Sequence, residues 1–295
     1  MQKKGFCWLI TVYLLVLLGA ALMAPLFYIL VSKLSVIFKA DWLCYLAQKP
    51  LYQYIDRLRI VGFLCVIPYL LKTAQITWGN LALKINIKVY ILCFFRGCFL
   101  WIFLLLCIIL ATNTFQVRTN WHLPICKTFL ASLLLAFIEE LIFRGFIFEF
   151  LCKKHSVHKS STLLAFLFAS LHFSLCHAGK INNLPLLLQS LQCALNSVVN
   201  IWGNIHWPYF FSLIFLSKIL VFLRLYYNSL WAAIGFHQGL VFTLMNIRYV
   251  FLFNETQNAF WGTGRLTDAW FVVIVLVLIY TQLKHHMRQK HGKIL

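Results

Sequence analysis

The sequence predicts an all-α fold, namely a polytopic membrane helix bundle of about eight transmembrane helices with an extra interfacial or re-entrant helix. Hydrophobic residues make up 62% of the 295 residues and charged residues only 11%, whereas a soluble domain has roughly 25% charged residues. Within lipid, only helices and closed β-barrels satisfy the backbone polar groups. The apolar residues form long runs and do not alternate with polar ones, which favours helices.

Eight apolar runs follow one another along the chain, and each is predicted to span the membrane. They cover residues 6–31, 60–76, 89–111, 123–151, 162–177, 209–225, 229–245 and 269–283. Residues 184–202 place leucines on one helical face and amide side chains on another, which is typical of an interfacial or re-entrant helix. We therefore divide the chain into N-terminal helices (1–122), a core with the chemically important residues (123–250), and a loop, last helix and basic tail (251–295).

The net charge is +19, and most Lys and Arg residues lie between the apolar runs or at their ends. This pattern is typical of lipid-headgroup contacts and orientation signals. We expect the lipid bilayer as a partner, no nucleic acid, and a multi-pass protein of a bacterial-type cell (inner) membrane. Arg96 differs because it lies within the third run, where it is expected to reach an interface or a partner carboxylate.

The fourth run contains three charged residues, Glu139, Glu140 and Arg144. A charge at the centre of a spanning helix costs roughly 2.5–3.5 kcal/mol on insertion scales, so these residues are predicted to be functional. Glu140 and Arg144 are four residues apart and can pair on one helix face. Glu139 lies about 100° further around the helix and is left for another partner, as a buried general base requires.

Two histidines lie in other predicted spans, His172 in the fifth and His237 in the seventh. Ionisable residues inside a membrane face the bundle interior or a wet cavity. Together with the glutamates, they could hold a hydrolytic water directly or bind a metal that activates it. Two other readings stay open: structural hydrogen-bonding histidines and the proton relay of a transporter, although no inverted repeat is visible.

These residues carry a resemblance to a known family. The motif Glu-Glu-x-x-x-Arg at 139–144, then Phe-x-x-x-His ending at His172, then a helix opened by Ser-Leu-Trp and bearing His237, is similar to the signature of the CAAX-protease and bacteriocin-processing (Abi) family. The similarity covers residues 131–242. It implies an intramembrane endopeptidase that cleaves a peptide or a lipidated protein near the bilayer, in CAAX-box-type or leader-peptide processing.

The resemblance also implies roles for particular residues. Glu139 would be the general base, supported by His172, and Glu140 with Arg144 would shape the site. His237 would stabilise the oxyanion. Phe168 and Gln238 would line the substrate cavity. If a metal such as Zn²⁺ is used, its ligands would be Glu139, His172 and His237; a metal-free glutamate mechanism is the alternative.

The sequence departs from the family pattern at one position of the third motif. The family has Asn or Asp four residues after the histidine, and this chain has Val241. Asn246 is nine residues after His237, about 180° around the helix, and cannot replace it. A catalytically impaired family member that acts as a membrane scaffold or immunity protein is therefore the alternative function.

Overall fold

The computed structural model describes residues 5–73, 75–112, 115–119, 122–174, 184–199, 203, 205–253, 259–262 and 267–291. Over these ranges the fold is helical, apart from one two-stranded ribbon. The helices are α1 (Gly5–Phe38), α2 (Asp41–Ala47), α3 (Leu51–Thr73), a 3₁₀ turn (Trp78–Leu81), α4 (Ile87–Thr112), α5 (Ile125–Glu140), a π-helical segment (Leu141–Ile147), α6 (Phe148–Cys152), α7 (Val157–His172), α8 (Leu186–Val199), α9 (Trp207–Tyr227), α10 (Leu230–Val250) and α11 (Trp270–His291). The ribbon pairs β1 (Phe115–Val117) with β2 (Phe251–Phe253) in antiparallel register.

Four helices are long and apolar enough to cross a membrane. They are α1 over Cys7–Phe38, α4, α9 and α10. The predicted helical membrane fold is therefore confirmed, but the count of eight spans is not. Helices also lie where the remaining spans were expected, in α3, the continuous run from α5 to α6, α7 and α11. The expected ends of the fifth span, at 177, and of the interfacial helix, at 202, lie outside the described residues.

The chain forms two compact units, one of residues 1–74 and 170–205 and the other of residues 75–169 and 206–295. In the first unit, α1, α3 and α8 share a core. It is formed by Tyr13, Leu17, Ala20, Ala21, Ala24, Tyr54, Ile55, Cys193 and Ala194. These units do not test the division at 122 and 250, which was drawn from motif content and stays a prediction.

Helix α3 begins earlier than the apolar run that predicted it. The run starts at residue 60, whereas the helix starts at Leu51. The polar stretch is helical because its charges pair along one face, with Arg59 Nη2 3.2 Å from Asp56 Oδ1, and because Ile55 is fully buried against the core. Hydropathy alone detects neither effect.

Helix α8 shows that residue size decides which face is buried. Its buried residues are all small: Ser190, Cys193, Ala194 and Ser197. The Ser190 hydroxyl donates to the Ala21 carbonyl at 2.6 Å, which requires close approach of the two backbones. Leu187 and Leu195 of the predicted apolar face are exposed, as expected of a surface that lipid covers.

Glycines permit the packing of α4 against α10 in the second unit. A Cβ at Gly235 would overlap the carbonyl oxygen of Tyr90, and a Cβ at Gly239 would overlap that of Phe94. Gly97 of α4 meets the α10 backbone in the same way. Small residues four positions apart are a common means of close helix approach in membranes. This contact places α10, and with it His237, beside α4.

Candidate active site

The two glutamates lie where a regular helix changes to a π-helical turn. Glu140 is the last residue of α5, and Arg144 lies within the π-helical segment that follows. Every residue from Ile142 to Ile147 is buried. Single π-helical turns inside α-helices are rare overall, but those that occur are often found at functional sites. Sequence periodicity could not detect this one.

One carboxylate oxygen of Glu140 contacts two charged or polar side chains. Arg144 Nη1 donates to Glu140 Oε1 at 2.8 Å, and His237 Nδ1 lies 2.8 Å from the same oxygen. Glu140 and Arg144 are fully buried. The predicted Glu140–Arg144 pair is confirmed, and α10 adds the imidazole to it.

Several atoms of this cluster have no hydrogen-bond partner among the described residues. They are Glu139 Oε2, Glu140 Oε2, and Arg144 Nε and Nη2. Buried polar atoms are usually hydrogen-bonded, and leaving one unsatisfied costs about 1–3 kcal/mol. A cluster with this many open donors and acceptors is suited to binding polar atoms of a ligand or water.

Glu139 faces the other side of the same imidazole. Its Oε2 lies 3.9 Å from His237 Nε2, which is too long for a direct hydrogen bond. Two polar atoms at such a distance can share a bridging water. Because Nδ1 faces Glu140, His237 stands between the two carboxylates and can present Nε2 to a bridging water.

Phe168 covers the buried guanidinium. Its ring lies 4.3 Å from Arg144 Cζ and packs edge to face on Phe143 with centroids 5.0 Å apart. A cation over an aromatic face is stabilised, by about 2 kcal/mol or more when it is desolvated. These contacts place the Phe168 ring against the ion cluster, and the expected contact with substrate stays a prediction.

Gln238 is fully buried and hydrogen-bonded to two neighbouring helices. The Tyr90 hydroxyl of α4 donates to Oε1, and Nε2 donates to the Phe129 carbonyl of α5 at 3.4 Å. Its amide thus holds α10 against α4 and α5. The expected role in lining a substrate cavity stays a prediction.

His172 is the last residue of α7, and it is partly buried in the first unit. The turn after it is held by α1 and α3. There, Arg59 Nη1 donates to the Ser174 carbonyl at 2.8 Å, and the Tyr13 hydroxyl donates to Ser174 Oγ at 2.9 Å. His172 belongs to the first unit and Glu139 to the second, and the expected approach of His172 to Glu139 stays a prediction.

A zinc ion would need more ligands than the described cluster offers. Catalytic zinc takes three protein ligands and a water. Glu139 and His237 Nε2 supply two donors, and Glu140 Oε1 is occupied by Arg144 and His237. Among the residues the structure describes, no group of three His, Cys, Asp or Glu side chains is arranged to hold a metal. The described cluster alone therefore does not fit a zinc site, and no reaction step is routed through one.

The sequence analysis missed a second buried ion pair. Arg224 of α9 is 3% exposed. Its Nη2 lies 2.5 Å from Glu149 Oε1 and 2.9 Å from the Asn80 carbonyl, and its Nη1 donates to the Arg144 carbonyl. It thus binds the backbone of the π-helical segment. The available signal was a charged residue within each of two predicted spans.

The position expected to hold Asn in the third motif is only partly buried and carries the apolar side chain of Val241. Asn246 is engaged elsewhere on α10. Its Nδ2 donates to Thr128 Oγ1 at 3.0 Å and to the Phe242 carbonyl at 2.8 Å. The exclusion of Asn246 as a replacement is therefore confirmed.

Fold and site together define a helical integral membrane protein with a buried glutamate–histidine–arginine cluster. The family model described as type II CAAX prenyl endopeptidase Rce1-like matches residues 120–243. Over that segment the chain is similar to this family, so the predicted resemblance is confirmed. The match contains both glutamates, Arg144, His172 and His237. No curated protein and no solved structure matches the chain.

Proposed function

We propose that the protein is an intramembrane endopeptidase that hydrolyses a peptide bond near the bilayer surface, in a peptide or a lipidated protein, in CAAX-box-type or leader-peptide processing. One observation carries the proposal. Glu139 Oε2 is buried without a hydrogen-bond partner among the described residues and faces His237 Nε2 across 3.9 Å. A water beside this gap would contact a base and an imidazole at once.

In the proposed reaction, Glu139 removes a proton from the water, whose oxygen attacks the scissile carbonyl carbon. The carbonyl oxygen becomes an oxyanion, and His237, in its imidazolium form, donates Nε2–H to it. When the intermediate collapses, the C–N bond breaks, and Glu139 passes its proton to the leaving nitrogen. The products are a new carboxyl group and a new amine.

Glu140 and Arg144 are proposed as positioning residues. The carboxylate of Glu140 accepts from His237 Nδ1 at 2.8 Å, which fixes the orientation of the ring. Arg144 shares that oxygen and limits the negative charge beside the ring. Their burial keeps water from competing for these hydrogen bonds.

The proposal includes a metal-dependent alternative. Zn²⁺ would then be held by Glu139, His237 and His172, and it would supply an activated water. His172 would have to provide the third ligand. The proposed location, a bacterial-type inner membrane, is consistent with the apolar helices and the positive charge.

A second candidate function rests on Val241. If the missing amide is needed to stabilise the oxyanion, the chain is a membrane scaffold or immunity protein built on the same fold. Its function would then survive Glu139→Gln in full.

The test uses the full chain in detergent with a library of prenylated and unprenylated fluorogenic peptides. Wild type, Glu139→Gln, His172→Ala and His237→Asn are compared, each with and without a chelator. Asp41→Asn is the matched control, because it makes the same carboxylate-to-amide change at an exposed position outside the cluster. We expect cleavage by wild type and the control and at least a hundredfold loss in the three others.

Other outcomes discriminate between the alternatives. Cleavage that a chelator abolishes, and that added zinc restores, would establish the metal-dependent form. If Glu139→Gln cleaves as fast as wild type, the proposed base is wrong. If folded wild type cleaves nothing in the library, the scaffold function is favoured.

A further inference from the structure

Arg96 is positively charged, and none of the carboxylates that the structure describes in the second unit pairs with it. It lies on the exposed surface of α4, a helix able to cross a membrane. Within that unit, Glu139 and Glu140 belong to the His237 cluster, and Glu149 pairs with Arg224. Glu255 lies outside the described residues.

The remaining acidic residue of the unit is Asp268, which lies at the opposite end of α11 from the cavity. Asp268 lies next to Gly262, just before the helix begins at Trp270. His286, which lies in the cavity of Arg96, is in the last turns of the same helix. Sixteen residues of helix, about 24 Å at 1.5 Å per residue, separate Trp270 from His286, so Asp268 cannot neutralise Arg96.

Arg96 lines a small cavity where three helices meet. The cavity has a volume of about 210 Å³, several times the roughly 30 Å³ that one water occupies in the liquid. Its polar lining comes from Arg96, Tyr226, Tyr227 and His286. The guanidinium donates to the Tyr227 hydroxyl at 2.7 Å, and the other donors of its fork are available to a ligand.

The cavity lies near the ends of apolar helices, which is the depth expected of the membrane interface. Tyr227 is the last residue of α9, and His286 ends the apolar part of α11. Arg96 reaches back from within α4 to the hydroxyl of Tyr227, as a snorkelling arginine does. Tyr and Arg at the ends of apolar helices mark the depth of lipid headgroups.

We propose that this cavity binds the phosphate of an anionic lipid headgroup, with the Arg96 fork and His286 as donors and Tyr227 orienting the fork. Arginine is suited to phosphate because its planar donors can bind two oxygens at once. A lipid is the occupant because the cavity lies at the level of helix ends, and because the basic residues Lys284 and His285 directly precede His286 in the chain. The net charge of +19 favours an anionic headgroup over a zwitterionic one.

The experiment measures lipid retention and does not depend on peptidase activity. The full chain is purified in detergent, mixed with equal amounts of phosphatidylglycerol and phosphatidylcholine, and examined by native mass spectrometry. Wild type is expected to retain phosphatidylglycerol about tenfold better, and Arg96→Gln to lose this preference. Lys88→Gln is the matched control, because it removes one charge from the same helix outside the cavity.

Equal retention of both lipids by wild type would overturn the proposal. So would equal losses in Arg96→Gln and Lys88→Gln, because they would show surface charge acting without a site. Displacement of the lipid by millimolar inorganic phosphate would show a free anion as the occupant. If Arg96→Gln does not fold, His286→Gln, on an exposed side chain, is expected to lower the preference several-fold, and no change would refute the site.

Discussion

Replacing Arg144 by Met would leave Glu140 buried with one of its two cationic or polar partners removed. Both side chains are 0% exposed and are joined at 2.8 Å. Breaking a buried ion pair by removing one partner typically costs about 3–5 kcal/mol. Because His237 Nδ1 still contacts the same oxygen, we expect a value near the lower limit, about 3 kcal/mol.

The measurement is reversible unfolding in detergent, followed by tryptophan fluorescence. Lys127→Met in the first turn of α5 is the matched control, because it makes a similar change at an exposed position, and it should stay within about 0.5 kcal/mol of wild type. The double variant Glu140→Gln/Arg144→Met should be destabilised less than the sum of the single variants, by about 1–3 kcal/mol. Additive effects, or a loss below about 1 kcal/mol for Arg144→Met, would refute the reasoning that the pair is buried and coupled.

Three further predictions concern packing, positioning and the third motif. Gly239→Ala should separate α4 from α10 and lower the melting temperature strongly, whereas Gly19→Ala, which has open space at its Cβ position, should not; equal shifts would refute the close approach. Arg224→Gln leaves Glu149 and the π-segment carbonyl without their buried donor, so we expect destabilisation of about 2–4 kcal/mol in the same unfolding assay. Val241→Asn should raise peptide cleavage about 10²-fold if an oxyanion donor is missing, and an unchanged rate in a folded variant would contradict that role.

Much of the candidate site could be predicted from sequence, because charge inside a membrane is costly and therefore conspicuous. Glu139, Glu140 and Arg144 stand out in an apolar run, and the spacing of four residues indicates the Glu140–Arg144 pair. The sequence identified His237 as a candidate but could not predict the orientation of its imidazole ring. Its contact with both carboxylates depends on the approach of α10 to α5, which is long-range in the chain.

Other parts of the site could not be predicted from the sequence. Arg224 and Glu149 are 75 residues apart, and no local pattern links them. The π-helical turn at Leu141 arises within an apolar sequence that reads as ordinary helix. The hydrogen bonds of Gln238 with Tyr90 and Phe129 join residues that are far apart in the chain, and no local pattern indicates them.

The sequence by itself determined that the protein is helical and lies in a membrane, because too few charged residues exist to cover a soluble surface and apolar runs must satisfy their backbones internally. It also determined the resemblance to a family, through motif residues whose order along the chain is distinctive. Only the tertiary structure decided which faces of the helices pack and which atoms meet. Those choices depend on size and shape at the contact, as at Gly239 and Ser190, and hydropathy does not distinguish one apolar face from another when lipid is as apolar as the core.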